Sequence, residues 1–294
     1  MKPRSWSKII LSLALCLPAA ESLKGIATAS PLQQSDATPI LLTRVVQIFF
    51  PDGSQYEGIV KDNKPDGVGE MRYVNGDTYQ GEWREGKRNG KGVATYLNGE
   101  VYEGEWQNDK RNGLGLVIYS DGTRYEGEWD DDRRHGRGTE ATPDGTRYEG
   151  EWDDDRREGQ GVETYADGRR YEGEWDNDRR DGRGTEYYSN GEVYSGQWND
   201  DRRHGRGIAI FPNGGRYDGK WRDDARNGDG IELYPNGGLY NGEFQNNQRH
   251  GKGTYISPNG EIYEGEWRNN EFVGLVSEIG IRNSEFGIRK GEMG

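Results

Sequence analysis

Residues 171–193 read Tyr-Glu-Gly-Glu-Trp-Asp-Asn-Asp-Arg-Arg-Asp-Gly-Arg-Gly-Thr-Glu-Tyr-Tyr-Ser-Asn-Gly-Glu-Val, and Tyr194 begins the same pattern again. Working outward, the opening tyrosine recurs every 23 residues at Tyr56, Tyr79, Tyr102, Tyr125, Tyr148, Tyr171, Tyr194, Tyr217, Tyr240 and Tyr263, with no insertion or deletion. Gly follows two residues later in each unit. Trp follows four residues later at Trp83, Trp106, Trp129, Trp152, Trp175, Trp198, Trp221 and Trp267, with Val60 and Phe244 in the other two units. A Gly-x-Gly pair such as Gly136/Gly138 comes next, then Asn-Gly, Asp-Gly or Gly-Gly. Repetition at such a step marks a repeat architecture.

Each unit reads as a hairpin. Tyr-Glu-Gly-Glu-Trp alternates with period two, which puts Tyr, Gly and Trp on one face of a strand and both Glu on the other. A charged loop such as Asp130-Asp131-Asp132-Arg133-Arg134 reverses the chain, and the stretch after Gly-x-Gly, rich in β-branched and aromatic residues, forms the second strand. The Asn-Gly or Asp-Gly dipeptide adopts positive φ at little cost and turns the chain into the next Tyr. The expected fold is all-β: an elongated single-layer antiparallel sheet of about ten stacked 23-residue β-hairpins, a rod or curved ribbon. Two strands per repeat, ~4.8 Å apart, give a length on the order of 95 Å.

The bulk numbers agree with a thin array. Only 30% of the 294 residues are hydrophobic and 31% are charged, yet the chain holds 9 Trp and 18 Tyr, more ring surface than a disordered chain carries. Residues 1–29 read as a cleaved signal peptide: Lys2, Arg4 and Lys8 precede an apolar run, Ile9 to Leu17, too short to span a bilayer, and Ala27-Thr28-Ala29 offers a cleavage site. The only cysteine, Cys16, lies in that run, so the mature chain has neither disulfide nor thiol chemistry. The mature chain also lacks an Asn-x-Ser/Thr acceptor, and the expectation is a secreted or periplasmic bacterial protein. Residues 30–42 read as a flexible linker, 43–275 as the hairpin array and 276–294 as a degenerate cap. Removing 1–29 takes four of the 39 Lys+Arg and one of the 52 Asp+Glu, leaving a net charge of −16. So acidic a surface argues against nucleic acid.

The unit Tyr-Glu-Gly-Glu-Trp, Gly-x-Gly, Asp-Gly or Asn-Gly resembles the MORN (membrane occupation and recognition nexus) repeat, over about residues 43 to 275. The resemblance implies the hairpin-array fold and a scaffold that joins membranes, cytoskeletal or septal structures and other proteins. Related repeats also occur beside catalytic domains such as phosphoinositide kinases and a lysine methyltransferase. Here repeats and presequence use up almost the whole chain, and no separate catalytic domain fits.

The residues themselves carry four candidate sites. His135, His204 and His250 share one slot, ten after the repeat Tyr, which reads as a solvated turn position with the three too far apart to share a metal. The acidic runs, foremost Asp130, Asp131, Asp132 and Asp153, Asp154, Asp155, are weak calcium candidates. Against that stand Arg133/Arg134 and Arg156/Arg157, able to neutralise them locally or across to the next loop. Glu pairs such as Glu126/Glu128 and Glu149/Glu151 meet the formal need of a glycosidase for two carboxylates, but they recur in unit after unit where an active site breaks the pattern. The expectation is no enzyme, no cofactor and no small-molecule substrate.

The fourth candidate is the aromatic stripe, Tyr79/Trp83, Tyr102/Trp106, Tyr125/Trp129, Tyr148/Trp152, Tyr171/Trp175, Tyr194/Trp198, Tyr217/Trp221 and Tyr263/Trp267. Its first role is packing, and rings left partly exposed would form a binding face for an extended peptide or a partner's strand. The leading function is a non-catalytic protein-interaction or scaffold module of the cell envelope, binding along an extended groove or sheet edge. The alternatives are peripheral phospholipid binding, which the acidic charge disfavours, and a carboxylate-based enzyme.

Overall fold

A computed structural model describes residues 45–275. The signal peptide at 1–29, the linker at 30–42 and the cap at 276–294 lie outside the described residues. The described chain is all-β: twenty-one strands run from β1 (Val45–Phe49), β2 (Gln55–Lys61) and β3 (Lys64–Arg72) to β20 (Ile262–Arg268) and β21 (Glu271–Gly274). Each strand pairs antiparallel with its sequence neighbours, giving one open meander.

One unit explains the rest. In β8 (Arg124–Asp130) Tyr125 and Trp129 are buried while Glu126 and Glu128 are exposed, as the alternation requires. The second strand, β9 (Arg133–Ala141), differs from the sequence expectation. It begins at Arg133, directly after a two-residue turn, and contains the Gly-x-Gly pair. Opposite Gly127/Glu128 the register shifts, so Gly136, at φ 58°, forms a β-bulge. Gly138 stays in register and faces Gly127.

The two turns also exchange the roles read from sequence. The charged turn is the one built on positive φ at both central residues, 48° at Asp131 and 72° at Asp132, which matches the right-handed strand twist of a tight hairpin. At the other turn only the glycine is left-handed. Gly122 N–H donates to Tyr119 O (2.9 Å), Tyr119 N–H to Thr123 O (2.8 Å), and the Asp121 carboxylate accepts from Thr123 N–H (2.8 Å). This is a type I turn closed by a left-handed glycine, with Asp or Asn locking it from the side chain.

Candidate functional site

The aromatic face is a sealed core. Tyr125 folds its ring over the Gly127/Gly138 pair, and its hydroxyl donates to Glu128 O at 2.9 Å. It meets Trp129 of its own unit edge-on at 5.2 Å and Trp152 of the next at 5.3 Å. Repetition of these contacts links Tyr56 through Trp267 in one unbroken ladder, with Phe244 standing in for one Trp. Of the sixteen stripe residues, fifteen are buried and only Tyr263 is half-exposed, so their rings offer packing surface rather than an open groove. Burial pushes the tyrosine hydroxyls up, to about 12 for Tyr56 and Tyr240 and further for those between.

A second row, missed in the sequence, flanks this ladder on the same 23-residue step: Phe50, Tyr73, Tyr96, Tyr119, Tyr188, Phe211 and Tyr234 are half-buried against the core, Tyr165 is half-buried at its place in the row, and Thr142 interrupts it. Its period was present in the sequence from the start.

The acidic turns and the arginines form one clasp. Arg134 lies over the Trp152 ring at 4.1 Å, its backbone N–H and Nε both donate to Asp155 Oδ1 (3.0 and 3.1 Å), and a terminal amino group reaches Asp155 O. Each of the six calcium candidates is engaged from the preceding unit: Asp130 by Asn112, Asp131 by Lys110, Asp132 by Arg111, Asp153 by His135, Asp154 by Arg133 and Asp155 by Arg134. Among the described residues no three His, Cys, Asp or Glu side chains gather as a metal site. The histidines sit within strands, correcting their reading as turn residues: His135 in β9, His204 in Arg202–Ile210 and His250 in Gln248–Ile256.

Six of the clasp arginines take a further carboxylate from one of two places, whereas Arg88, with Ala94 six residues on, pairs with Asp109 alone among the described residues. Glu140, Glu163, Glu186 and Glu232, six residues on, serve Arg134, Arg157, Arg180 and Arg226. Where that position holds Val117 or Ala209, the turn supplies Glu100 to Arg111 or Glu192 to Arg203. Among the described residues Arg249, over Trp267 at 4.4 Å, has no carboxylate within 4.0 Å, because Asn270 and Tyr255 occupy the acidic positions. Its Nε is buried without a partner. Asn270→Asp is therefore expected to stabilise the last hairpin by about 0.5–1 kcal/mol, since aspartates at the equivalent turn position hold the same φ, 65° to 73°. Slower amide exchange confined to β20 and its neighbours would report it; no change would mean the guanidinium is already satisfied.

Among the described residues nothing covers the opposite face. Glu126, Glu149 and Glu172 line an open groove of about 660 Å³ with Arg137, Gln160 and Val162. Two of these acids are paired along their own strand, Glu149 with Arg147 (2.7 Å) and Glu172 with Arg170 (2.8 Å). The Glu pairs thus repeat from hairpin to hairpin, with Glu126, Glu128 and Glu149 exposed and Glu151 half-buried.

No curated protein matches this sequence at a significant level. Among solved structures the chain is similar to the TCP10 domain of Danio rerio CPAP in complex with a peptide of Danio rerio STIL, at 14% identity over 74% of this chain and 97% of that one, TM-score 0.38. It is similar also to the SAS-4 (dCPAP) TCP domain of Drosophila melanogaster in complex with a proline-rich motif of Ana2 (16%, 72% and 96%, TM-score 0.25). A third is the Staphylococcus aureus virginiamycin B lyase (16%, 79% and 74%, TM-score 0.15). Likenesses this distant carry no functional argument. The family model of the MORN repeat matches ten consecutive segments, 56–78, 79–101, 102–124, 125–147, 148–169, 171–193, 194–216, 217–239, 240–262 and 263–275. With every match in step with a hairpin of the sheet, the chain belongs to the MORN repeat family.

Proposed function

We propose that this chain is a non-catalytic scaffold of the cell envelope, secreted or periplasmic, that holds protein partners on the uncovered face of its sheet. One observation carries the reading: among the described residues the sheet buries one face under its own aromatic ladder and leaves the other open, with large apolar side chains such as Tyr187, Ile210 and Leu233 exposed. A single-layer sheet with one exposed, partly apolar face presents surface that a partner can bury. The carboxylates of that face repeat without a distinguished pair, which supports binding over catalysis.

Peripheral lipid binding draws less support, because cations of the clasp are committed to acids of the next turn, as in Arg133 to Asp154 and Arg179 to Asp200. Affinity capture from the native organism, with residues 30–294 as bait, is expected to retain a defined envelope protein. Liposome sedimentation of the same chain is expected to leave it in the supernatant. Salt-sensitive pelleting with anionic vesicles, without any captured protein, would replace the scaffold with the lipid reading.

A further inference from the structure

The exposed apolar side chains of the open face are not scattered. The strand register aligns them: Tyr187 pairs with Val193, Val193 with Ile210, Ile210 with Arg216, Arg216 with Leu233, Leu233 with Leu239, Leu239 with Ile256 and Ile256 with Ile262. Eight consecutive strands thus contribute one residue each to a single row, and seven of the eight are apolar. Five are well exposed, Tyr187, Ile210, Leu233, Ile256 and Ile262, between 38% and 49%. Ile208 and Ile231 widen the row on one side. In the preceding units the same row is Arg124, Ala141, Arg147, Thr164 and Arg170, so the apolar stretch has a defined beginning at Tyr187. Nothing in the hairpin fold requires it, because the core lies on the other side of the sheet. In a chain of mean hydropathy −1.13, such a row is costly to leave in water.

We infer that this row, Tyr187 to Ile262, is the docking site for an amphipathic α-helix of a partner protein, laid across the strands. This deepens the scaffold reading and rests on it. Spacing selects the helix. Strands follow one another every ~4.8 Å, close to the ~5.4 Å turn of a helix and far from the ~6.7 Å between same-face side chains of an extended peptide. Seven inter-strand steps span roughly 34 Å, the length of about 22 helical residues. A helix carries an apolar stripe of matching width, one or two side chains per turn.

A second copy of the chain shares the spacing but fits less well. Sheets packed face to face cross at about 30°, so two narrow rows separate within a few strands of their crossing point. Arg216, at the middle of the row and paired with Asp218 at 2.8 Å, would also lie beside its symmetry mate on a two-fold axis. A helix passes over the aliphatic stem of Arg216 and leaves the guanidinium, drawn along the strand to Asp218, at its margin.

Two display libraries of 22-residue peptides test this, one with apolar residues at i, i+3, i+4 and i+7, the other alternating with period two. Both are selected on the intact chain and counter-selected on the Ile210→Glu/Leu233→Glu variant. These positions are exposed, so the near-ultraviolet ellipticity of the Trp ladder should be unchanged; if that variant misfolds, Ile210→Thr/Leu233→Thr replaces it. The expected result is enrichment of the helical library alone, with isolated peptides gaining helicity on binding and binding the variant at least tenfold more weakly. Enrichment of the alternating library, no enrichment, or equal binding to the variant overturns the inference. So does self-association of the chain that the variant abolishes. If no peptide is enriched while the chain still captures an envelope protein, the docking inference fails and the scaffold reading stands; capture of nothing removes both.

Discussion

Raising the pH above 10 is expected to unfold the array in a transition far steeper than the titration of one group. Nine repeat tyrosines, Tyr56 to Tyr240, hold their hydroxyls under the aromatic ladder and donate each to a backbone carbonyl three residues on, as Tyr148 does to Glu151 O (3.0 Å). A phenolate cannot donate, and it would face the same oxygen. Burial is the main cause of the raised values, and the clasp arginines offset it in part for all but Tyr56. The sign follows. The unfolded chain releases these protons near pH 10 while the folded chain keeps them to about 12 or beyond, so their stabilisation is complete below pH 10 and falls as pH rises through that window. Each tyrosine contributes a slope of about 1.4 kcal/mol per pH unit, and nine lost together about 12, comparable with the whole stability of an ordinary domain. Phenolate absorbance and far-ultraviolet ellipticity, followed together from pH 9 to 12.5, should change at the same pH and with more than one proton released. Gradual phenolate formation ahead of any loss of ellipticity would show the hydroxyls to be accessible in the fold.

The features legible in the sequence are those set by local periodicity. Tyr, Gly and Trp at i, i+2 and i+4 fix the buried face of β8 and its counterparts, and the 23-residue step fixes the number of hairpins. What escaped depends on contacts between units. Asp131 and Asp132 adopt a left-handed backbone that costs energy locally, and the compensation comes from Arg111, 21 residues earlier. No window around the turn contains that partner, so the more permissive Asp-Gly dipeptide drew the positive-φ assignment instead. Gly136 and Gly138 likewise read as a break between loop and strand, because glycine weakens a strand; the ring of Tyr125 over Gly138 and the left-handed bulge at Gly136 explain why they belong inside one. The apolar row from Tyr187 to Ile262 is invisible until the register is known, since its members lie six or 17 residues apart in alternation.

The corresponding ring of Tyr148 makes Gly150→Ala a strongly damaging substitution. A Cβ at Gly150 would stand 2.4 Å from the Tyr148 hydroxyl and 2.6 Å from the Gly161 Cα. The first contact can be relieved only by swinging the ring away, and the second is backbone of the paired strand, which cannot retreat without opening the ladder. Moving the ring breaks its bond to Glu151 O and its edge contacts with Trp152 and Trp175, at 5.2 and 5.3 Å. Overpacking of this kind costs ~1–3 kcal/mol, and loss of two aromatic contacts adds ~1–3, for a total of about 2–6 kcal/mol. Because each hairpin touches only its neighbours, the damage should divide denaturant unfolding into two transitions, one for each side of the substituted unit. Gly168→Ala is the internal control: its φ of 87° strains any side chain, but nothing lies within 4 Å of the added carbon, and a cost of only about 1 kcal/mol is expected. Tyr148→Ala should rescue part of the Gly150→Ala loss, making the double variant less unstable than the two single losses added together. Strict additivity, or equal costs for Gly150→Ala and Gly168→Ala, would mean that backbone conformation rather than the space beneath the ring demands glycine at this position, and that the tyrosine does not hold adjacent hairpins in register.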